Sequence, residues 1–523
     1  PPVLVWRARG CAAAPAIAAG KTAQGEGHWV AWHHDVREDT FDPDIAKWIA
    51  LRFVAGGQVF EVSDPMRDRD RDRHGEEQSF EFPALVVSET GAVAIFGRGS
   101  HDFWRQDVND TGWTERRSLS GGGWGSRGRR CTAARFGDTV VFARREKKGI
   151  EIAVEPVAVG GPPALTACEA DLTSQQTFQT PRLDRRRDPA TASGRATFFG
   201  DIQQHSAHSD GVGTAEEAHL RARHRYGDDF VALTDHESFL GKRTGPGEWE
   251  YLQRVADAHD EPGAFTALLA YEWTGKRYPG PGHKCVYLPK RGTPLVSRDD
   301  VPEGKDLVQK IAALGGVASP HHIGWTGCDE AGHDPAGQPV WEICSCHGCY
   351  EHPDHPLGMR GEHTDQLASA MLEKGHRFGF TASSDSHGLL WHHGESRKRD
   401  PYRTGLTAVQ VTELNRETVL NALKTRRCYA TSGVKILLDM QVDGCPMGSE
   451  LAARETIEVT GRVVGASALE RLDLVTEAGV VFSQAADGDE ASLAHTLSAP
   501  RYVYLRAVQK DGEMAWASPV FID

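Results

Sequence analysis

The sequence lacks any long apolar run: nowhere do about 18 successive apolar residues occur, the least that a membrane-spanning helix needs. It also lacks a basic balance, since 59 Lys and Arg face 73 Asp and Glu, which gives a formal net charge of -14. Nucleic acids and anionic membranes attract basic surfaces, so neither is expected as a partner. With 39% hydrophobic and 25% charged residues, the composition is that of a globular protein.

Cysteine is scarce as well: ten Cys residues lie at irregular intervals among 523 residues. That number is too small for a disulfide scaffold, so we expect mostly reduced thiols, which slightly favour the cytoplasm. The chain starts at Pro1 without an initiator Met. A signal peptide removed on secretion or export to the periplasm therefore stays an open alternative.

The length predicts several domains, because a single hydrophobic core rarely keeps growing beyond about 300 residues. Residues 1–190 show short apolar runs between Gly and charged clusters, for example at 48–54 and 139–144, and are predicted to form a β-rich domain with a linker. Residues 434–523 alternate in a similar way and are predicted to form a C-terminal β-sandwich.

Residues 198–431 alternate between strand-like and helix-like segments, which is the pattern of an α/β domain. Thr214 and Glu217 have the spacing of a capping box, which predicts the start of a helix. Further strands are expected at 230–234, 265–270, 317–319, 340–344, 378–382 and 406–412, and helices at 305–314, 364–374 and 416–426.

Polar motifs rich in His, Asp or Glu follow six successive strands of this domain. In parallel α/β folds the carboxyl ends of the strands collect ligands, so these motifs should converge. Imidazole and carboxylate groups bind Zn, Mn or Fe in hydrolytic sites, and a carboxylate such as Glu272 can bridge two ions. Between His321 and His322 the sequence leaves the choice open. The predicted metal ligands are His205, Asp210, His236, Glu272, His322, His347, Asp385 and His387.

Over about residues 198–431 these motifs resemble the polymerase and histidinol phosphatase (PHP) superfamily. Its members open with His-x-His and Ser-Asp-Gly, continue with Thr-Asp-His, a Glu and two separate His, and finish with Asp-x-His. Residues 427–433, 446–449 and 516–519 further resemble large members that have a C-terminal β domain and no settled function. The matching positions are His205, Ser209-Asp210-Gly211, Thr234-Asp235-His236, Glu272, His321 or His322, His347 and Asp385-x-His387.

The resemblance implies an α/β fold class: a distorted (β/α)7 barrel flanked by the two β domains. It also implies two or three divalent ions, Zn or Mn with Fe as a further option, and a phosphoesterase activity. One position departs from the pattern, because Gln203 stands where the first His of His-x-His is expected. An amide oxygen is a poorer ligand than imidazole, so one ion should bind weakly or not at all unless Asp201 or His208 compensates.

Such a site would hydrolyse its substrate with a hydroxide formed on a metal ion. Candidates for protonating the leaving group are His208, Asp235 and His321. An anionic small-molecule substrate also needs cations. Arg403 is predicted to act at the catalytic site and Arg397 and Arg399 to bind the substrate, although a solvated charge run explains the two latter residues equally well.

Two other functions compete with phosphoester hydrolysis. The same metal site could hydrolyse a non-phosphate ester, an amide or a sugar-derived bond. Alternatively, the chain could be a non-catalytic binding protein with a decayed metal centre, which the amide at Gln203 suggests. The sequence leaves the oligomeric state open.

Overall fold

The computed structural model describes residues 2–7, 11–35, 45–62, 78–99, 102–119, 131–146, 149–171, 191, 194–239, 242–388, 394, 400 and 402–523. Within these residues, 46% lie in strands and 14% in helices, so the protein is predominantly β. No helix in those ranges has the length and apolar character needed to cross a membrane. The chain divides into two compact units, and each is described by itself.

The first unit comprises Pro1–Pro181, Ser206–Glu217 and Leu240–Lys242. Its described residues contain strands β1 to β14, which are rich in the β-branched and aromatic residues that suit a pleated surface. Their bounds are Cys11–Thr22, Gly25–Asp35, Ile45–Ala55, Gln58–Glu61, Gln78–Ser79, Glu81–Val87, Val93–Arg98, Phe103–Asn109, Gly112–Trp113, Arg117–Ser118, Cys131–Phe136, Thr139–Glu146, Gly149–Pro156 and Thr166–Ala167.

Sheets of this unit run in the orders β1-β2-β3-β4-β14, β10-β8-β7-β6 and β11-β12-β13. Their core is aromatic: Trp29, Phe53 and Trp104 are buried, and the ring centroids of Trp29 and Phe53 are 4.9 Å apart. Strands β3 and β12 occupy the positions predicted at 48–54 and 139–144. The described part of the N-terminal region is therefore rich in β-strands.

Loop 206–217 is fixed within the first unit by a buried ion pair. Arg98 Nη2 donates to Glu81 Oε2 at 2.5 Å and to Gly211 O at 3.0 Å. Gly213 N donates to the other oxygen of the same carboxylate at 2.5 Å. Charge-assisted hydrogen bonds of this kind are about twice as strong as neutral ones, so the backbone of the loop is held firmly.

The end of this loop forms the predicted capping box. Glu217 N donates to Thr214 Oγ1 at 3.3 Å, and Thr214 N donates to Glu217 Oε2 at 2.5 Å. His33 Nε2 lies 3.0 Å from the same carboxylate. Because Phe82 N donates to His33 Nδ1, the ring proton lies on Nε2, which donates to Glu217.

Strands from residue 196 onward are β15 to β36. Their bounds are Ala196–Gln204, Phe230–Leu233, Ser238–Phe239, Lys242–Arg243, Thr266–Thr274, His283–Leu288, Val317–Pro320, Val340–Ser345, Gly348–Cys349, Gly379–Ala382, Leu406–Val411, Cys428–Thr431, Leu437–Val442, Cys445–Pro446, Glu450–Leu451, Thr456–Val464, Leu469–Thr476, Gly479–Ala485, Glu490–Ser498, Tyr502–Gln509, Met514–Ala517 and Val520–Ile522.

The α-helices of the described residues are short. The helices predicted at 305–314 and 416–426 are present as α3 and α6, while the one predicted at 364–374 divides into a 3-10 turn and α5. Helices α1 to α6 are Ala215–Leu220, Pro246–His259, Gly304–Ala313, Ile323–Thr326, Ala368–Glu373 and Arg416–Lys424, with a π-helix at Arg221–Arg225 and 3-10 turns at Glu330–Gly332 and Thr364–Gln366.

The second unit comprises Arg182–His205, Ala218–Phe239 and Arg243–Asp523. Its main sheet has 13 strands, in the order β21-β20-β19-β16-β15-β25-β26-β35-β34-β31-β32, with β36 paired to β34 and β29 paired to β36. Strands β15, β16 and β19 are parallel, but β20, β21, β25 and β26 are antiparallel to their neighbours. A smaller sheet, β23-β22-β24, contains one further parallel pair.

The predicted fold class, a (β/α)7 barrel within an α/β protein, is therefore wrong. Such a barrel needs a helix after each parallel strand, whereas β19 returns directly through β20, with Glu272 opposite Cys285. The apolar segment His283–Leu288 follows β19 after a short loop, and a short loop allows only antiparallel pairing. Among the described residues only α2, α3 and α6 exceed eight residues, too few to cover a seven-stranded barrel.

The main sheet also continues past residue 431, where a domain boundary was expected. Tyr429 of β26 pairs with Ala517 of β35, so hydrogen bonds join the two sides of that position. A four-stranded sheet, β28-β27-β30-β33, packs on the C-terminal strands. Leu438, Val459 and Leu505 share their buried core. The C-terminal region is β-structured, as predicted, and belongs to the same compact unit as the central region.

Candidate metal centre

The predicted ligands of the second unit lie at or near the ends of successive strands. Their side chains are buried, although all of them are polar or charged. Buried groups of this kind need partners, so their positions are informative. They are His205 after β15, His236 after β16, Glu272 within β19, His321 and His322 after β21, His347 after β22, and Asp385 and His387 after β24.

One group of imidazoles surrounds His205. Its ring centroid lies 4.1 Å from that of His387 and 4.7 Å from that of His236. One ring nitrogen of each residue lies within 4.8 Å of the others, close enough for the three to share an ion. His236 Nδ1 contacts Thr274 Oγ1 at 2.7 Å, and His387 Nδ1 contacts Asp385 O at 3.0 Å. Such contacts fix the orientation of ligand rings.

A second group joins Glu272 to three imidazoles. Glu272 Oε1 lies 2.7 Å from His283 Nδ1 and 3.3 Å from His321 Nε2, and His322 completes the group within 4.8 Å. Both His321 and His322 belong to it, so the two residues are not alternatives. His283 was not among the predicted ligands, because no strand was predicted at 283–288. The apolar run of Cys285 and the three residues after it was the available signal.

A third group contains Asp385, His347 and Cys346. Asp385 Oδ2 lies 3.2 Å from His347 Nε2, and its other oxygen lies 3.2 Å from His205 Nε2. Glu272 Oε2 also lies 3.2 Å from His205 Nε2. His205 and the two carboxylates thus connect the three groups into one continuous cluster.

The electrostatics of this cluster keep both carboxylates ionised. Burial alone would raise the pKa of Glu272, but the imidazoles of His236 and His321 hold that pKa well below its ordinary value. Burial would likewise raise the pKa of Asp385, and hydrogen bonds from His205 and His347 hold it well below the usual range. Ionised carboxylates are the form that a divalent ion binds.

Burial lowers the pKa of His283, His322 and His347, which favours the neutral form that a metal ligand needs. Burial lowers the pKa of His283 to about 4, and burial with the nearby ring of His321 lowers the pKa of His322 well below its usual range. His205 is the exception. Burial lowers its pKa, but the hydrogen bonds to Asp385 and Glu272 outweigh burial and raise it well above the ordinary value. A proton on His205 thus balances negative charge of Asp385 and Glu272, which a bound metal ion would balance in its place.

Two further observations test whether these residues fit divalent ions. His321 Nε2 is buried and makes no hydrogen bond, although Glu272 Oε1 is 3.3 Å away. An unsatisfied buried polar atom costs roughly 1–3 kcal/mol, which a bound ion would remove. His322 and Asp385 have left-handed backbones, with φ of 35° and 50°, and such strain concentrates at ligand sites. The buried His, Asp and Glu groups could hold metal ions.

Gln203 lies between the two shared carboxylates. Its Nε2 donates to Asp385 Oδ1 at 3.1 Å and to Glu272 Oε2 at 3.3 Å. Its Oε1 accepts from Ser383 Oγ at 3.2 Å. The residue that departs from the expected His-x-His therefore contacts the same two oxygens as His205, as a neutral donor.

The other predicted site residues lie in several places. Asp210 and His208 belong to loop 206–217 of the first unit, so their parts as ligand and proton donor stay predictions. Asp235 is buried in the second unit, where its backbone oxygen accepts from Glu272 N at 3.1 Å. Its role as a proton donor also stays a prediction.

Arg403 forms contacts with two residues of the second unit, and its part at the catalytic site stays a prediction. Its Nη1 donates to Asp228 Oδ1 at 3.1 Å and its Nη2 to Tyr226 O at 2.7 Å. The guanidinium also lies 4.2 Å from the centroid of the Tyr226 ring. These contacts commit the guanidinium to a structural cluster. Arg397 and Arg399, predicted to bind the substrate, lie outside the described residues.

A separate buried group has a different character. Cys349, Glu351 and His355 place possible ligand atoms within 4.8 Å of one another. However, Tyr504 OH donates to Glu351 Oε1 at 2.6 Å and Trp516 Nε1 donates to Glu351 Oε2 at 2.7 Å. Both oxygens of this carboxylate are already occupied by donors of the chain.

Arg506 completes the surroundings of Glu351, because its Nη1 donates to Oε1 at 3.0 Å. Leu357 N donates to His355 Nδ1 at 3.2 Å, which places the ring proton on Nε2, 3.4 Å from Glu351 Oε2. A protonated nitrogen cannot ligate an ion. We therefore regard this group, named the Glu351 hub, as structural.

Comparisons with known proteins name no activity. Residues 230–307, which contain β16, β19 and β20, match the family described as protein of unknown function (DUF3604). An uncharacterized protein of Chlamydia trachomatis serovar D is 29% identical over 311 residues, which are 52% of this chain and 48% of that protein. An uncharacterized protein of Chlamydia muridarum is 28% identical over 225 residues, 38% of this chain and 36% of that protein.

A third relative, an uncharacterized protein of Chlamydia pneumoniae, is 25% identical over 357 residues, 60% of this chain and 56% of that protein. The chain spans about half the length of the curated relatives it matches. Among solved structures, an engineered protein is 14% identical to this chain. The match covers 59% of this chain and 68% of the engineered protein, with a TM-score of 0.14. A score so low says nothing about the fold.

Proposed function

We propose that the second unit is a metal-dependent hydrolase that cleaves phosphoesters. The observation that carries the proposal is the sharing of two buried carboxylates between imidazole groups. Glu272 directs Oε1 to His283 at 2.7 Å and Oε2 to His205 at 3.2 Å. Asp385 directs Oδ1 to His205 and Oδ2 to His347, each at 3.2 Å. Carboxylates whose two oxygens serve different ligand groups suit ions a few ångströms apart.

The side chains of the cluster would form one set of ligands for each ion. When bound, divalent ions lower the pKa of a coordinated water toward neutrality and withdraw charge from the attacked group. Two ions are expected, or three if the group around His347 holds one of its own. The proposed sets are His205, His236 and His387; Glu272, His283, His321 and His322; and Asp385, His347 and Cys346.

The protein itself supplies orientation and a dry environment. The contact between His236 and Thr274 Oγ1 fixes one ring, and burial of Glu272 and Asp385 keeps both carboxylates away from bulk water. His321 lies inside a ligand group, so in this proposal it is a ligand and not a proton donor. Asp235 remains the candidate of the second unit for protonating the leaving group.

Phosphoesters are proposed as substrates because the ligand motifs resemble those of phosphoesterases and the donors are mostly nitrogen and oxygen. One observation favours a second function, metal binding without catalysis. Gln203 donates to both shared carboxylates and so neutralises part of the charge that an ion would meet. A protein that binds one ion tightly and hydrolyses nothing would fit that second function.

Metal analysis of the purified full chain, followed by a screen of phosphomonoesters, phosphodiesters and carboxylic esters with Zn or Mn, tests the proposal. We expect about two ions per chain and turnover of a phosphoester. Glu272→Gln should lose at least one ion and the turnover. Glu237→Gln is the matched control, because Glu237 is equally buried but hydrogen-bonded to Ser297 Oγ at 2.8 Å and Arg298 N at 3.2 Å. Hydrolysis that survives Glu272→Gln would refute the site.

A further inference from the structure

Two guanidinium groups pack on one indole ring at the edge of the metal centre. Arg360 Cζ lies 3.6 Å and Arg277 Cζ 4.5 Å from the ring centroid of Trp325. Each contact is a favourable cation–π interaction, but together they bring two like charges to one ring. Burial lowers the pKa of Arg360, and the positive charge of Arg277 adds to that effect. We name Arg277, Trp325 and Arg360 the arginine rim.

Backbone hydrogen bonds fix the rim in place. Tyr278 N donates to Thr326 O at 2.7 Å, which ties the loop of Arg277 to the helix that carries Trp325. Arg360 N donates to His347 O at 2.7 Å. The loop of Arg277 is thus joined to the helix of Trp325, and the loop of Arg360 is joined to His347 of the metal centre, so the two charges are held close to that centre.

The rim directly adjoins the proposed ligands. The ring centroid of Trp325 lies 4.8 Å from that of His322 and 5.1 Å from that of His347. Arg277 is exposed and Arg360 partly so, whereas both histidines are buried. The guanidinium groups therefore stand between solvent and the metal centre, where an entering substrate would meet them.

Neither guanidinium forms an ion pair within the part of the chain that the structure describes. Their charges are therefore available to an anion, although acidic residues outnumber basic ones in the sequence, 73 to 59. Several other arginines of the same unit have a carboxylate partner: Arg403 has Asp228 at 3.1 Å, Arg416 has Asp257 at 2.5 Å, and Arg506 has Glu351 at 3.0 Å.

We propose that Arg277 and Arg360 form an anion subsite that binds the phosphate group of the substrate beside the metal centre. This inference rests on the proposed function and narrows its substrate class. A guanidinium presents parallel N–H donors that match two oxygens of a phosphate group. Two such cations suit the dianion of a phosphomonoester better than the single charge of a phosphodiester.

Phosphate binding by three variants tests the subsite. Arg277→Met, Arg360→Met and the double variant are compared with Lys276→Met, which removes the same charge from the neighbouring exposed residue of the same loop. Inorganic phosphate is titrated into the full-length chain by calorimetry, with and without Zn or Mn. Each arginine variant should weaken phosphate binding roughly 10- to 100-fold, the effect of one lost charge-assisted contact. Lys276→Met should change it less than about twofold, and metal content should be the same throughout.

The outcomes separate this inference from the proposed function. Phosphate affinity in Arg277→Met and Arg360→Met equal to that in Lys276→Met would overturn the subsite, whatever the enzyme hydrolyses. Equally tight binding of acetate, with the same dependence on the two arginines, would overturn its assignment to phosphate. If no phosphoester is hydrolysed but phosphate binding still needs both arginines, the subsite stands and the hydrolase proposal fails alone.

Discussion

The second unit contains two buried carboxylate networks. Both include Glu, His and Cys, but different donors surround their carboxylates. In the Glu351 hub, a phenol, an indole and a guanidinium donate to one carboxylate. In the metal centre, Glu272 and Asp385 are surrounded mainly by imidazoles and by the amide of Gln203. The donors of the hub are permanent, whereas a neutral imidazole can accept as well as donate.

This difference distinguishes a structural network from a binding site. Burial would raise the pKa of Glu351, but His355 and Arg506 bring it down to about 2 without any added cation. Asp385 is kept ionised by His205, which takes up a proton to do so, and by His347. The hub is therefore complete in the protein alone. The metal centre is completed either by protons or by metal ions.

The largest effect should follow from removing a shared carboxylate. Asp385→Asn keeps the shape of the side chain but removes the charge that faces both His205 and His347. We expect bound metal to fall by at least one ion per chain and hydrolysis by roughly a thousandfold or more, since ions clamp the charge that develops in the reaction. Elemental analysis and turnover of the best phosphoester measure both.

The matched control is Glu351→Gln, an equally buried and isosteric change in the hub. Its metal content should equal that of the unaltered protein. Loss of an ion in Glu351→Gln, or full metal content in Asp385→Asn, would reverse the assignment of the two networks.

The sequence predicted which side chains lie close together better than it predicted the fold. His205, His236 and Glu272 could be found because His, Asp and Glu follow buried apolar runs, a local pattern that survives whatever the strands pair with. The prediction of a barrel was wrong because strand pairing joins residues that are far apart in the sequence. Strand β20 pairs antiparallel with β19, and only its short connecting loop carried that information.

Residues on elements that were not predicted were missed, even where a signal such as the apolar run beginning at Cys285 was present. His283 lies on the strand that was not predicted, and it completes the group around Glu272. The arginine rim assembles from two loops and a short helix that are distant in sequence, so no motif marks it. Arg403, selected from a run of basic residues, instead pairs with Asp228, because a charge run does not reveal which of its members finds an internal partner.

A smaller effect is expected on stability when the hub loses its charge. Glu351→Gln leaves Arg506 with Asp473, 2.9 Å away, as its remaining anion. Breaking a buried ion pair in this way should reduce the free energy of unfolding by about 3 kcal/mol. Denaturant unfolding measured on metal-free protein gives the value. Asp385→Asn should reduce the free energy of unfolding of the metal-free protein by less. The reason is that it removes a charge that the metal-free centre balances only with a proton.

The loss of stability at acid pH should depend on the ionisation of Glu351 in the hub. The pKa of Glu351 is depressed from 4.5 to about 2 in the folded protein, so its stabilisation is present above about pH 4.5 and is lost as the pH falls toward 2. Of about 3 kcal/mol at neutral pH, about 2 kcal/mol should be gone at about pH 3. Unfolding of metal-free protein across this range should fall more steeply than that of Glu351→Gln. Parallel curves for the unaltered protein and Glu351→Gln would show that the pKa of Glu351 is not depressed.

The smallest effect should come from Tyr504→Phe, which removes one donor from the hub and leaves its shape. Tyr504 OH donates to Glu351 Oε1 at 2.6 Å, an oxygen that Arg506 also contacts at 3.0 Å. Because the guanidinium remains, the carboxylate stays ionised and the free energy of unfolding should fall by only about 1–2 kcal/mol. If Tyr504→Phe costs as much as Glu351→Gln, the phenol and not the guanidinium completes the hub, and the contrast with the metal centre would rest on neutral donors.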